Sequence, residues 1–242
     1  MADGYRQGFA ARMRDAEKKA VRSLRLFAGM SERCFDEMLA GSYLQRFPAA
    51  VVLFNEADPT DFLHILIEGQ VELFASANNR EGTMTLIKPV ATFVLASALA
   101  DGAYQLSART LESSRILLVP AENVRIAMKS DADFAQKAVL ELASCYHGVV
   151  RAYKNVKLRT AVERLANYLL VQDARQGGKG TLELPVEKRT LASLLAMTPE
   201  NLSRAFATLR PYGVKVEGSE IRLENLKDLE TLAKPSTLID RR

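Results

Sequence analysis

Apolar and polar residues repeat with two different periods along this chain, and the period changes near Phe47. From about residue 5 to 45 the spacing predicts short helices, one of them capped by Ser31 and carrying Phe35, Met38 and Leu39. From Phe47 to about residue 120, short β-rich runs alternate with turn residues, which predicts strands at 51–54, 61–67, 71–75, 83–87, 91–96 and 115–119. Short strands at regular spacing predict a small antiparallel barrel or jelly roll.

A helix over residues 121–129 and a much longer one over 132–157 are predicted to follow the strands. The long segment has no proline and a single glycine, Gly148. Its apolar positions step alternately by three and four residues, as in a coiled-coil seam: Ala135, Ala138, Leu142, Cys145, Val149, Ala152 and Val156. This pattern favours pairing with the same helix of a second copy, and the alternative is packing against the chain's own barrel.

The C-terminal third returns to helical spacing and ends in a hairpin pattern. It predicts helices at 160–172 and 226–233, a strand at 181–186, and two short helices joined by a tight turn within 190–210. Leu191, Leu194 and Leu195 share one face of the first short helix. Segments 214–216 and 220–223 flank Glu217 and Gly218 as a hairpin. A helix-turn-helix followed by a hairpin is a winged helix.

The second short helix has one apolar face and one face suited to base contacts. Its apolar face carries Leu202, Phe206 and Leu209, and the opposite face carries Glu200, Ser203, Arg204 and Ala207. In a DNA major groove an acidic side chain can accept from cytosine N4, and Arg can donate to guanine O6 and N7. The alternative is an ordinary i,i+4 surface ion pair between Glu200 and Arg204, worth about 0.3–0.5 kcal/mol.

Further polar residues around this helix are candidates for backbone contacts on DNA. Lys188 and Arg189 precede the first short helix and are the best-placed candidates for phosphate contacts. Thr198 is the predicted N-cap of the second helix, and Asn201 lies in its first turn.

Composition permits a polyanionic partner without requiring one. The chain has 242 residues, 48% of them hydrophobic, a net charge of +4 and no run of five basic residues, so DNA contacts must be individually placed. Its two cysteines, Cys34 and Cys145, argue against a disulfide framework and a multi-cysteine metal site. The N-terminus lacks a signal-peptide core, and no apolar stretch approaches the roughly 20 residues of a membrane span. We therefore expect a cytoplasmic protein without membrane contact.

Three motifs resemble the CRP/FNR family of bacterial transcription regulators, and the resemblance covers nearly the whole chain. They are the pair Leu26-Phe27, the segment 62–73 (FLHILIEGQVEL) and the segment 198–204 (TPENLSR). The last is the most specific, because Glu-x-x-Ser-Arg resembles the base-contacting set of the FNR-like branch. Pro199 stands where the cyclic-AMP receptor branch carries an Arg.

The resemblance implies an α+β fold with three parts. An N-terminal antiparallel β-roll (jelly roll), similar to cyclic nucleotide-binding domains, would occupy residues 1–131 with short helices. A dimerisation helix would occupy 132–158, and a C-terminal winged helix-turn-helix 159–242.

The same resemblance implies a homodimer that binds double-stranded DNA at an inverted repeat with TTGA-type half-sites. A signal sensed by the β-roll would control it, RNA polymerase would be a further partner, and no catalytic residue is expected. One position departs from the family pattern, since Ala196 stands where the turn usually has Gly. A left-handed Ala costs roughly 1–2 kcal/mol, so this position predicts either tolerated strain or a slightly different turn.

The sensor region lacks the residues that hold a cyclic nucleotide in the family. Ala96 and Leu106 stand where the binding members carry Glu and Arg, and only Ser107 is retained. Val149 and Val150 correspond to the Thr-Ser pair that meets the base. A buried phosphate without its guanidinium partner is costly, so we expect no cyclic-AMP binding. These five residues would line a pocket for haem or an apolar effector, or form a filled core.

Other sensing chemistries lack ligands as well. An iron–sulfur cluster of the FNR type needs four cysteines, and the chain has two. A haem would need an axial ligand from His64, His147, the cysteines, the methionines or the tyrosines. We expect His64 to be a surface or packing residue, His147 to lie on a helix surface and Cys145 to pack in the seam. An interchain redox switch at Cys145 is the alternative, and the effector stays unassigned.

Two other classes of function account for less of the sequence. A cupin-like metalloenzyme typically needs two or three His plus a carboxylate, but only His64 lies in the barrel region. A ligand-binding module that regulates through protein contacts would leave the Glu200–Arg204 face and the wing without a purpose.

Overall fold

The computed structural model describes residues 13–78 and 80–240, which fall into two compact units, Met1–Ser144 and Cys145–Arg242. The part of the predicted helical region before residue 13, the N-terminal stretch without a signal-peptide core and the last two residues lie outside the described residues.

The first unit begins with short helices. These are α1 (Asp15–Arg22), a 3₁₀ turn at Arg25–Phe27 and α2 (Glu32–Met38). The Ser31 hydroxyl accepts from the Cys34 backbone N–H at 3.2 Å, which confirms the predicted N-cap. The buried Glu17 on α1 joins Arg115 of the β-rich region. Burial opposes the charged carboxylate, but hydrogen bonds from Arg14 and Arg115 outweigh it and lower the pKa of Glu17 to about 2.

The β-rich region forms two four-stranded antiparallel sheets. The strands are β1 (Tyr43–Phe47), β2 (Val52–Phe54), β3 (Phe62–Glu68), β4 (Val71–Ala77), β5 (Arg80–Ile87) and β6 (Ala91–Phe93); helix α3 (Leu95–Ala100) precedes β7 (Ser107–Thr110) and β8 (Ser114–Pro120). The strand orders are β1-β8-β3-β6 and β2-β7-β4-β5. This is the expected β-roll.

Both faces of the first sheet are buried, which explains the continuous apolar run in β3. One face contributes Leu66, Phe93 and Ile116 to a core shared with Phe54 and other residues of the second sheet. The other face packs under the helices, including α4 (Ala121–Ser130) and the start of α5 (Ala132–Leu158). Successive strand residues alternate between these two cores.

Three predictions in this region were wrong. Residues 43–47 form a strand, although 43–45 lay in the region predicted to be helical, and β7 was not predicted, because its sequence Ser-Ala-Arg-Thr lacks apolar alternation. The predicted strand at 91–96 ends at Phe93, where a left-handed Val94 (φ +59°) turns the chain into α3.

The second unit contains the end of α5 and a small helical domain with one sheet. Its elements are α6 (Ala161–Arg175), β9 (Thr181–Glu183), α7 (Lys188–Leu194), α8 (Pro199–Leu209), β10 (Val214–Glu217), β11 (Glu220–Leu223) and α9 (Leu226–Ala233). The three strands pair in the order β10-β11-β9, so the predicted hairpin and wing are present. The predicted strand at 181–186 is only three residues long.

Candidate nucleic-acid interface

Helices α7 and α8 form the predicted helix-turn-helix around one apolar core. Leu191 and Leu195 of the first helix and Leu202, Phe206 and Leu209 of the second are all buried in it. Leu194, predicted on the same face, is half-buried. The back of α8 is therefore fixed by apolar packing, which leaves its other side free to present polar groups.

The turn between the two helices is left-handed at Ala196, with φ +53°. Ala196 donates its backbone N–H to Ser193 O at 2.9 Å, and Met197 donates to Ala192 O at 3.0 Å, which closes the end of α7. Of the two sequence-based alternatives, the left-handed alanine is the one present.

Helix α8 begins at the predicted N-cap. The Thr198 hydroxyl accepts from the Asn201 backbone N–H at 3.2 Å, and Pro199 occupies the first helical position. The pKa of Glu200 lies below its usual value, mainly because the Thr198 hydroxyl stabilises the carboxylate, with its own backbone N–H and Arg204 contributing less. The first turn thus holds a charged carboxylate in place on the exposed side.

The exposed face of α8 carries the predicted base-contacting residues. Glu200, Ser203, Arg204 and Ala207 are all exposed. Ser203 Oγ donates to Pro199 O at 3.1 Å, and no ion pair joins Glu200 to Arg204 within the described ranges. Arg204 therefore acts on the Glu200 carboxylate through its charge without a close ion pair, and both side chains stay exposed on this face.

Exposed cations lie on α7 and on the wing. Lys188 and Arg189 are exposed in the first turn of α7. The wing cations are already paired: Lys215 Nζ lies 2.7 Å from Glu224, and Arg222 lies 3.1 Å from Glu217 and 2.8 Å from Glu220. Lys188 and Arg189 thus differ from the wing cations, which have carboxylate partners within the wing region.

Sequence reasoning missed one residue that holds the turn. Arg164 of α6 donates from Nε to Leu195 O at 2.8 Å and from Nη2 to Ala196 O at 3.1 Å. These are carbonyls at the end of α7 and in the turn, which lack helical partners. The only sequence signal was an arginine beside the apolar positions of a helix, and it did not indicate this contact.

The predicted dimer seam divides into a buried part and an exposed part. Ala138 and Leu142 pack in the core of the first unit, as in the alternative of packing on the chain's own barrel, and Ala135 is half-buried. Cys145, Val149, Ala152 and Val156 are exposed.

Two exposed tyrosines of α5 lie beside the exposed seam residues Val149 and Val156, and the four together form an exposed apolar stripe. Tyr146, Val149, Tyr153 and Val156 are 67%, 67%, 63% and 46% exposed. They step by three, four and three residues, so they lie on one side of the helix. Tyr146 and Tyr153 each lie one position beyond the predicted Cys145 and Ala152.

The predicted effector-pocket residues are placed as follows. Ala96 is exposed on α3, Leu106 is half-buried, and the buried Ser107 hydroxyl accepts from the Glu56 backbone N–H at 2.8 Å. Val149 is exposed and Val150 half-buried on α5. Arg109 of β7 is held by Glu72 at 2.6 Å and Glu81 at 2.9 Å.

His64, by contrast, is fully enclosed among aromatic rings. Its ring centroid lies 4.9 Å from that of Phe54, 5.1 Å from Phe93 and 6.0 Å from Tyr104. Its Nδ1 is buried without a hydrogen-bond partner among the described atoms. Burial lowers the pKa of His64 to about 3, although a backbone contact with Phe62 acts in the opposite direction. His64 is thus a neutral packing residue, as one of the sequence-based expectations had it.

The remaining candidate ligands do not converge. His147 is exposed on α5, Cys34 is buried beside Ser130, and Cys145 is exposed. Over residues 13–78 and 80–240, no group of three or more His, Cys, Asp and Glu side chains is arranged to hold a metal ion. In the same ranges no helix has the length and apolar character to cross a membrane.

Comparisons with known proteins match both units. A family model for cyclic nucleotide-binding domains matches residues 44–131, and one for the Crp-like helix-turn-helix domain matches residues 163–232. The chain is 23% identical over 194 residues to the CRP-like cAMP-activated global transcriptional regulator of Mycobacterium tuberculosis, covering 78% of this chain and 85% of that protein.

Solved structures of regulators share the fold. FixK2 from Bradyrhizobium japonicum is 22% identical with a TM-score of 0.70, over 81% of this chain and 99% of that one. The c-di-GMP responsive global regulator CLP of Xanthomonas campestris is 16% identical with a TM-score of 0.67, over 80% and 99%.

Proposed function

Since this chain belongs to the CRP/FNR family of transcription regulators, we propose that it binds DNA as a homodimer at an inverted repeat with TTGA-type half-sites. The observation that carries the proposal is the exposed polar face of α8. Glu200 and Arg204 match the chemistry of a C·G pair, because a carboxylate accepts from cytosine N4 and a guanidinium donates to guanine. Lys188 and Arg189 would add phosphate contacts. Thr198 and Asn201, at the start of α8, would lie near the DNA backbone.

The homodimer is supported by the exposed stripe of Tyr146, Val149, Tyr153 and Val156 on α5. Contiguous exposed apolar surface of this kind marks an interaction site. Its heptad-like spacing fits a parallel pairing with the same stripe of a second copy. Such a dimer presents two α8 helices to DNA, and an inverted repeat has the matching two-fold symmetry.

The effector is proposed not to be cyclic AMP. Leu106 and Ala96 offer no charge to a phosphate or ribose, Ser107 is bonded to the Glu56 amide, and Arg109 is held by two glutamates. The related regulators are named for two different nucleotides, cAMP and c-di-GMP, so the shared fold does not identify this chain's signal. A cytoplasmic location and a contact with RNA polymerase belong to the same proposal.

Fluorescence anisotropy on a labelled TTGA inverted repeat and on a scrambled duplex tests this function. We expect Arg204→Ala to weaken binding to the repeat by roughly 1–3 kcal/mol and to leave binding to the scrambled duplex nearly unchanged. Lys227→Ala, which removes one exposed cation of α9, is the matched control and should have a small effect on both duplexes. Equal affinity of the wild-type protein for both duplexes would contradict base recognition. Adding cyclic AMP should leave every titration unchanged, and a tighter titration would contradict the effector proposal.

A further inference from the structure

The turn between α5 and α6 holds a buried ion pair with the C-terminal tail. Arg159 follows the last residue of α5, and its guanidinium binds Asp240 through two hydrogen bonds, Nη1 to Oδ1 at 2.7 Å and Nη2 to Oδ2 at 2.6 Å. The two side chains are only 6% and 9% exposed. Arg159 also donates to Asn155 at 3.1 Å, so the guanidinium links α5 to the tail.

The tail itself is folded so that the carboxylate is fixed. Asp240 Oδ2 accepts from the Ser236 backbone N–H at 2.8 Å, and the Asp240 backbone N–H donates to Ser236 O at 2.7 Å. Residues 236–240 therefore form a closed turn. A buried arginine depends strongly on such a partner, because a buried charge without one is costly.

Arg159 connects through its backbone to the helix-turn-helix. Its carbonyl accepts from Arg164 Nη1 at 2.9 Å, while the other nitrogens of Arg164 donate to Leu195 O and Ala196 O. The three donor groups of one rigid guanidinium thus join the α5–α6 turn to the turn that starts α8. Burial lowers the pKa of Arg164.

We propose that Asp240 and Arg164 are positioning residues for DNA recognition. Asp240 fixes the side chain of Arg159, and Arg164 transmits the position of Arg159 to the start of α8. The proposal rests on the DNA-binding function proposed above. Apolar packing keeps the buried face of α8 against the core, but it is not directional and does not fix the exact orientation of the helix. Base contacts need donors and acceptors placed within hydrogen-bond distance, so a small shift of the turn is enough to weaken them.

The direction in which Asp240→Asn changes DNA affinity distinguishes a positioning role from a purely electrostatic one. Asp240→Asn removes a negative charge, which by electrostatics alone would tighten binding to DNA. The positioning role requires the opposite, and we expect binding to the inverted repeat to weaken by about 10-fold with little change on the scrambled duplex. Glu183→Gln removes an exposed carboxylate of β9 and is the charge-matched control, expected to bind the repeat as tightly as wild type or tighter. Titrations are run well below the melting temperature of each variant, with folding checked by circular dichroism.

Arg164→Lys provides a second variant that leaves the tail intact. A single ammonium cannot reproduce the fixed fork of three donor groups, so the same loss on the repeat is expected. If Asp240 acts through Arg164, the double variant should lose little more than either single variant, since residues of one network are not additive. Fully additive losses, or Asp240→Asn binding the repeat as tightly as Glu183→Gln, would overturn the proposal.

Amide hydrogen exchange gives a readout that does not depend on DNA. The backbone amides of Ala196 and Met197 are hydrogen-bonded in the turn, and both variants should speed their exchange relative to those of the β10–β11 hairpin. Unchanged exchange in both variants overturns the positioning role. If wild type shows no preference for the repeat but the turn amides still respond, the DNA-binding proposal fails while the structural link stands.

Discussion

Ala196 is a residue at which the sequence and the backbone conflict directly. It adopts φ +53° in the turn before α8, a conformation that costs an L-residue roughly 1–2 kcal/mol. We predict that Ala196→Gly stabilises the protein by about 0.5–1 kcal/mol, because relief of this strain exceeds the extra entropy that Gly brings to the unfolded chain. Urea unfolding followed by circular dichroism measures the change.

Ala207 provides the matched control for this substitution. It is exposed in the interior of α8 and has ordinary helical geometry, so Ala207→Gly should destabilise by roughly 0.5–1 kcal/mol. Opposite signs at the two alanines would confirm that the effect comes from the left-handed backbone. Destabilisation at both positions would show that the turn carries no strain.

His64 makes the stability of the β-roll depend on pH. Its folded-state pKa of about 3 lies below the ordinary value of 6.5, so the unfolded chain binds a proton at this site between those two pH values and the folded one does not. Stability is therefore unaffected by this group above pH 6.5 and falls as pH drops below it, by at most about 1.4 kcal/mol per pH unit.

We predict that His64→Phe removes the loss of stability between pH 6.5 and about 5, because Phe can occupy the ring cluster of Phe54, Phe93 and Tyr104 without titrating. Urea unfolding at a series of pH values measures it. His147→Gln, at an exposed position on α5, should leave the pH profile unchanged. An unchanged profile in the His64 variant would mean that another group controls acid unfolding in this range.

Among the elements, those defined by a long local period could be predicted, and those defined by partners distant in sequence could not. The 27-residue α5 and the amphipathic α8 follow from apolar spacing within each segment. Strand β7 has almost no apolar alternation and exists because it pairs with β2 and β4. Helix α3 begins at a left-handed Val94, and nothing about a valine signals that geometry.

The same distinction applies to the candidate site. Glu200, Ser203 and Arg204 lie within five residues of one helix, so the helical period alone places them on one face. The contact between Arg159 and Asp240 joins residues 81 apart, and no local pattern indicates it. On α5, the predicted seam shares only Val149 and Val156 with the exposed stripe, because spacing cannot show which neighbours the chain itself covers.

For the whole molecule, the proposed function requires that two copies of α8 act together. An inverted repeat is bound tightly when both halves of a dimer engage it, because the second contact becomes intramolecular. The exposed stripe of Tyr146, Val149, Tyr153 and Val156 would therefore control DNA affinity without touching DNA.

We predict that Val149→Glu separates the dimer, since it places a charge in the centre of this stripe. Sedimentation velocity should show a monomer at concentrations where the wild-type protein is a dimer. Affinity for the inverted repeat should fall by at least about 100-fold, while affinity for a duplex with one half-site stays within a few-fold of wild type. His147→Glu introduces the same charge on another side of α5 and should leave both measurements unchanged. A dimeric Val149→Glu protein that keeps its affinity for the repeat would place the dimer contact elsewhere, and equal losses on both duplexes would point to misfolding of the second unit instead.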